Sequence, residues 1–151
     1  MKNDSERFDW TVRNAVYAAI REQTVPPTTD ETAATLGVSP DDVRAAYDRL
    51  HDRHALFLTP GSHDVRIANP FSGVPTEFRV EFGERSYWAN CAWDALGIPA
   101  ALHADARIEA RTGDDGEPIQ FVIAAGRVQG WDGVVHFPLP FGRWYDDLIE
   151  T

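Results

Sequence analysis

Residues 55–67 read ALFLTPGSHDVRI. Two short apolar runs, Ala55–Leu58 and Asp64–Ile67, flank Thr59-Pro60-Gly61-Ser62. Proline presets the backbone for a turn, glycine frees it, and serine can bond its own backbone. The pattern predicts a two-stranded hairpin. Here the chain passes from helical to extended texture, so the reading of this stretch sets the fold.

Upstream, Trp10, Val12, Val16, Ala19 and Ile20 recur at helical spacing within residues 8–22. Pro26 and Pro27 stop that helix. Thr29 or Asp30 is the expected cap of a second helix over about 30–36. Glu31 sits in its first turn and Gly37 just past its end. Ser39 caps a third, with Pro40 at its first position and Asp42 at the third. Val43, Ala46, Tyr47 and Leu50 form its apolar stripe. Three helices and a hairpin follow the order of a winged helix-turn-helix, with 40–53 in the place of a recognition helix. The charges argue against nucleic acid. That segment carries Asp41, Asp42, Asp48 and Asp52 against Arg44, Arg49 and Arg53, and residues 1–70 sum to −3. A packing or partner unit is the expected role. A transcriptional regulator is the competing one.

Downstream, Phe78–Phe82 alternates apolar with polar, Gly83 opens a turn, and Tyr87-Trp88 returns. Ala89–Leu96 is apolar up to Gly97 and Pro99, predicting a short buried helix. Ala106–Arg111 and Ile119–Ala125 read as strands around the loop residues 112–118. Val134–Leu139 is a further apolar run, broken by Pro138 and Pro140. The expected class is α+β. A winged-helix-like three-helix unit over 1–67 precedes a small, mostly antiparallel sheet with one buried helix over 68–151.

The composition narrows the function. The chain has 151 residues, 43% of them hydrophobic, and a formal net charge of −10. It can bury a core without disulfides. An anionic protein is repelled by phosphate unless one face gathers its cations. Cys91 is the single cysteine, which excludes an internal disulfide and a multi-cysteine zinc site. No apolar run approaches the ~20 residues of a membrane span. The first ten residues, MKNDSERFDW, lack the apolar core of a signal peptide. The expected setting is the reducing cytoplasm, without a membrane partner.

The sharpest candidate site is Cys91 with Asp94, in Trp88-Ala-Asn-Cys-Ala-Trp-Asp-Ala-Leu-Gly-Ile98. Positions i and i+3 of a helix share a face. A thiolate binds soft metals, and a carboxylate beside it can take or return a proton. The plain alternatives are a buried cysteine that fills space and an aspartate that caps a helix. Trp88, Trp93, Trp131, Trp144 and Tyr145 are candidates to line an apolar pocket beside Cys91, or they are ordinary core. His136 lies in an alternating run, and His51, His54, His63 and His103 show no metal spacing. Asp146-Asp147 reads as an acid/base pair, a hard-cation site or, more simply, an exposed acidic pair.

Phe71-Ser-Gly-Val-Pro-Thr-Glu-Phe-Arg-Val80 and Tyr87-Trp-Ala-Asn-Cys-Ala-Trp-Asp-Ala-Leu-Gly-Ile-Pro-Ala100 resemble the organomercurial (alkylmercury) lyase family. Val135-His-Phe-Pro-Leu-Pro140 and Arg143-Trp-Tyr-Asp-Asp-Leu148 are similar to its members too. The resemblance implies protonolysis of a carbon–mercury bond without an organic cofactor. By position, Cys91 would be the thiolate that captures the organomercurial and the ligand for mercury. Asp94 would take the cysteine proton and deliver it to the leaving carbon. Trp88, Trp93 and His136 would line the substrate pocket. The partner would be a small organomercurial or a soft metal ion. The family's second catalytic cysteine is expected at or just after Thr151. With Cys91 alone, the chain reads as a shortened or divergent member. A relative that binds a soft metal or an apolar ligand without catalysis is the alternative.

Overall fold

The structure is a computed structural model that describes residues 2–145. The chain divides into two compact units, Met1–Val74 and Pro75–Thr151. The first holds α1 (Lys2–Gln23), α2 (Thr29–Leu36) and α3 (Pro40–Asp52), then β1 (Phe57–Leu58), β2 (Val65–Ala68) and β3 (Phe71–Ser72). The three strands pair antiparallel in the order β1-β2-β3. Ser39 caps α3 as expected, accepting from the Asp42 amide at 3.2 Å. The cap of α2 is Thr28 instead of Thr29 or Asp30. Only from Thr28 does Glu31 fall three residues on, so each bonds the other's backbone in a reciprocal capping box.

Val12, Val16 and Ile20 of α1 pack with Val43, Ala46, Tyr47 and Leu50 of α3, all of them buried. Tyr47 shares a buried 2.9 Å hydrogen bond with Thr32 of α2. Trp10, expected in the α1 stripe, is exposed, and the Arg13 guanidinium lies over its ring at 5.3 Å. Asp9 takes the buried place on that turn. It is fully enclosed and accepts from Arg49 at 2.6 and 3.0 Å and from Arg53 at 2.8 Å. Desolvating a carboxylate costs several kcal/mol, which the two guanidiniums offset in place. Asp9→Asn removes the charge and leaves two cations facing each other. We expect a loss of about 3 kcal/mol in urea unfolding, somewhat below a fully buried pair because both arginines reach water.

In the second unit, β4 (Arg79–Phe82) and β5 (Arg85–Ala89) form a hairpin around Gly83, whose φ of +60° suits glycine. After α4 (Ala92–Leu102) come β6 (Ala106–Arg111), β7 (Pro118–Ala124) and β8 (Arg127–Gln129). All neighbours are antiparallel, in the order β5-β4-β6-β7-β8. Val80 stands opposite Tyr87 on one side and Ile108 on the other, and Ile108 opposite Phe121. These side chains share the buried face, and α4 packs on it through Ala95, Ile98 and Pro99. The opposite face carries an ion network. Glu81 meets Arg107 at 2.5 Å and Arg79 at 3.2 Å.

The buried helix differs from its expected bounds. It starts at Ala92 instead of Ala89 and runs past Gly97 and Pro99 to Leu102. Residues 89–90 belong to the strand and its exit, because Ala89 is bonded into the sheet by its amide to Phe78 at 2.9 Å. Burial of Ile98 and Pro99 outweighs the lost helical hydrogen bond at the proline. The helix ends where His103 turns left-handed at φ 50°. Val134–Leu139 forms no strand. Val134 is 84% exposed, and one 3-10 turn, Phe141–Arg143, follows. Among the described residues no helix is long and apolar enough to cross a membrane. Asp146-Asp147 lies outside the described residues.

Candidate functional site

The end of β5 is held firmly. The Thr76 hydroxyl donates to the Ala89 carbonyl at 2.6 Å, so the chain leaves the sheet at a fixed point. Two residues later Cys91 is the N-cap of α4, extended at φ −149° and ψ 179°. Asp94 is the third residue of the helix. The pair was expected on one helical face. It is brought together instead by the cap geometry, in which the N-cap side chain lies over the first turn. The Cys91 thiol donates to Asp94 Oδ2 at 3.4 Å, and both residues are half-buried.

Burial sets the proton balance. It pushes the Cys91 thiol up to about 11, and the neighbouring Asp94 charge pushes the same way. The backbone amides of Trp93 and Asp94 pull it down, without a full capping hydrogen bond to the sulfur. Burial also raises Asp94 to about 6, against the thiol's hydrogen bond, which lowers it. At neutral pH the thiol keeps its proton while the carboxylate can accept one. A carboxyl with a raised pKa hydrogen-bonded to a thiol is an arrangement suited to proton transfer. Among the described residues no three His, Cys, Asp or Glu side chains gather into a metal cage.

The aromatic candidates separate. Trp93, between Cys91 and Asp94, is 58% exposed and meets the Phe137 ring edge-on at 6.2 Å. Phe137 stacks on Trp144 at 4.9 Å, and Trp144 meets Phe141 at 5.0 Å. Trp131 stacks on Phe121 at 5.0 Å. Trp88 does not join Cys91. Strand alternation turns it away from the α4 face, since Tyr87 and Ala89 point inward. It lines a cavity of about 520 Å³ with Thr76, Arg79, Glu109, Arg111 and Gln120, and the Arg79 guanidinium lies over its ring at 6.0 Å. His136 is exposed, next to Phe137 in sequence. Sequence reasoning missed Thr76, Phe137 and Phe141. Thr76 has no sequence signal of its own. The two phenylalanines were legible only as apolar residues in a proline-rich run.

A family model for alkylmercury lyase matches residues 71–148, just over half of the chain. The chain belongs to the alkylmercury lyase family. Cys91, Trp93, Asp94 and the ring series through Trp144 all fall inside the matched stretch. Among solved structures, "Crystal structure of the mercury-bound form of MerB2" is similar at a TM-score of 0.65 and 23% identity. The likeness covers 80% of this chain and 58% of that one, and it shows a shared α+β fold. The alkylmercury lyase family member described here thus spans well under two thirds of that relative. No curated protein matches the sequence.

Proposed function

We propose that this chain captures an organomercurial on Cys91 and cleaves its carbon–mercury bond with the proton that Asp94 receives. The observation that carries the reading is the 3.4 Å thiol-to-carboxylate hydrogen bond at the start of α4, inside the family-matched stretch. In the first step the sulfur bonds to mercury and the departing anion leaves. The S–H proton passes to Asp94, which is ionised above about pH 6 and already accepts that hydrogen bond. In the second step the carbon–mercury bond breaks and its electron pair takes the Asp94 proton, giving the hydrocarbon. Mercury(II) stays on the Cys91 thiolate beside the regenerated carboxylate. A thiolate is the ligand mercury prefers, being soft. The amides of Trp93 and Asp94 favour the anionic sulfur once its proton has moved.

Incubation with an organomercurial tests this. Released hydrocarbon and inorganic mercury are the expected products. A lasting organomercury adduct on Cys91 without hydrocarbon would establish the non-catalytic binder instead. A functional free thiol suits a reducing compartment, and we place the chain in the cytoplasm.

The regulator reading loses support from the ion pairs of α3. Arg49 and Arg53 are held by Asp9, and Arg44 meets Asp41 at 2.6 Å. Arg44 and Arg49 of α3 and Arg53 at its C-cap thus face carboxylates. A phosphate backbone would have to draw Arg49 and Arg53 away from Asp9, leaving that buried carboxylate unpaired.

A further inference from the structure

The last rung of the β4–β5 ladder is not made by backbone alone. Phe78 and Ala89 follow the Arg79–Trp88 pair, and the Ala89 amide donates to the Phe78 carbonyl at 2.9 Å. A narrow antiparallel pair exchanges two such bonds, so the Phe78 amide would ordinarily donate to the Ala89 carbonyl. A hydroxyl stands between them instead. The Phe78 amide donates to Thr76 Oγ1 at 3.1 Å, and that hydroxyl donates to the Ala89 carbonyl at 2.6 Å. Thr76 thus completes the pair through its side chain. It holds the strands a hydroxyl's width apart where β5 leaves the sheet.

Cys91 follows two residues later. Its carbonyl already belongs to α4, accepting from the Ala95 amide at 3.0 Å. Its amide side is joined to Ala89 through Asn90. Cys91 therefore spans two anchors, the helix on one side and the Thr76 rung on the other. The helix is packed on the sheet through Ala95, Ile98 and Pro99, and it carries Asp94 with it. The 3.4 Å contact between Cys91 Sγ and Asp94 Oδ2 depends on where the strand ends relative to that helix.

Resting on the cleavage reading above, we infer that Thr76 is a positioning residue for the reaction: its hydroxyl fixes the strand end that aims Cys91 at Asp94. Valine has the shape of threonine but cannot bridge. In Thr76→Val the Phe78 amide and the Ala89 carbonyl either stay unpaired or close onto each other. Either way Ala89 loses its fixed place. Misplacing reacting groups by about 1 Å costs on the order of 10²-fold in rate. Serine keeps the hydroxyl and should keep the rung.

Two readouts on the intact chain test this: the Asp94 carboxyl titration followed by 13C NMR, and hydrocarbon released per captured organomercurial. In Thr76→Val, Asp94 should titrate above its native midpoint of about 6, because the thiol hydrogen bond that lowers it is lost. Release should slow by about tenfold to 10²-fold. Thr76→Ser should restore both. A hydroxyl that only stabilises the fold predicts a lower melting temperature with the midpoint and the release per adduct unchanged. That result, or a serine variant that follows valine, overturns the inference. If valine prevents folding, Thr76→Ala takes its place with the same expected changes and the same refutation. A native chain that releases no hydrocarbon defeats the cleavage reading, while the Asp94 titration still decides whether Thr76 positions the pair.

Discussion

Cys91→Ser should abolish organomercurial capture while leaving the fold intact or stronger. Serine offers a hard oxygen that a soft mercury centre does not favour, so labelling should drop to the background of the buffer. The same change improves the local backbone. Cys91 occupies the N-cap of α4 without a capping hydrogen bond. Serine is among the preferred residues there and adds up to about 1 kcal/mol. Thermal unfolding should show an equal or higher midpoint. A cysteine kept only to fill space would show the opposite effect on the fold, a lower midpoint in the variant.

Asp94→Asn should separate activity from stability as sharply. An amide cannot accept the thiol proton or hand one to carbon. Positioned acid–base groups contribute 10²–10⁴-fold, so hydrocarbon release should fall by at least about 10². Capture in the native chain should rise as pH passes about 6, where the carboxylate ionises, and this step should vanish in the variant. Stability should move the other way. Burial raises the Asp94 pKa from 3.8 to about 6, so folding favours the neutral carboxyl. Its contribution is complete below about pH 4 and is lost as pH rises through 6. At pH 8 the charged, half-buried group costs the fold roughly 2–3 kcal/mol. Asparagine lifts that cost. Urea unfolding should therefore find the variant more stable at pH 8 and equal to the native chain at pH 4. Equal stability at both pH values would show that the Asp94 carboxyl carries no burial cost.

Much of the fold was legible because caps and turns carry local signals. Ser39-Pro40 marks the start of α3, and Thr59-Pro-Gly-Ser62 the hairpin between β1 and β2. The errors came where long-range burial outweighed local preference. Gly97 and Pro99 look like helix breakers, but packing against the sheet carries α4 through them. Trp10 looks like core, but a solvated guanidinium over its ring leaves Asp9 as the buried residue of that turn. No periodicity reveals that Asp9 meets Arg49 and Arg53 forty residues on.

The site was half legible. The spacing of Cys91 and Asp94 could be read, although the cap and not a shared helical face joins them. Trp88 was tied to Cys91 by nearness in sequence. The alternation of β5, by which it turns toward Arg79 and away from α4, is a property of the pleat. Trp93 lies between Cys91 and Asp94 in sequence and is 58% exposed. Its ring partners became visible only once residues 137–144 were placed beside α4.

The central claim is that one thiol and one carboxylate, acting in sequence, cleave a carbon–mercury bond. A single-turnover experiment tests it most directly, following intact protein mass and evolved hydrocarbon in the same sample. The organomercury adduct on the Cys91 peptide should form first. It should then convert to a mercury-only adduct at the rate at which hydrocarbon appears, one molecule per chain. An adduct that keeps its organic group indefinitely, or hydrocarbon released with Cys91 unmodified throughout, would contradict the claim.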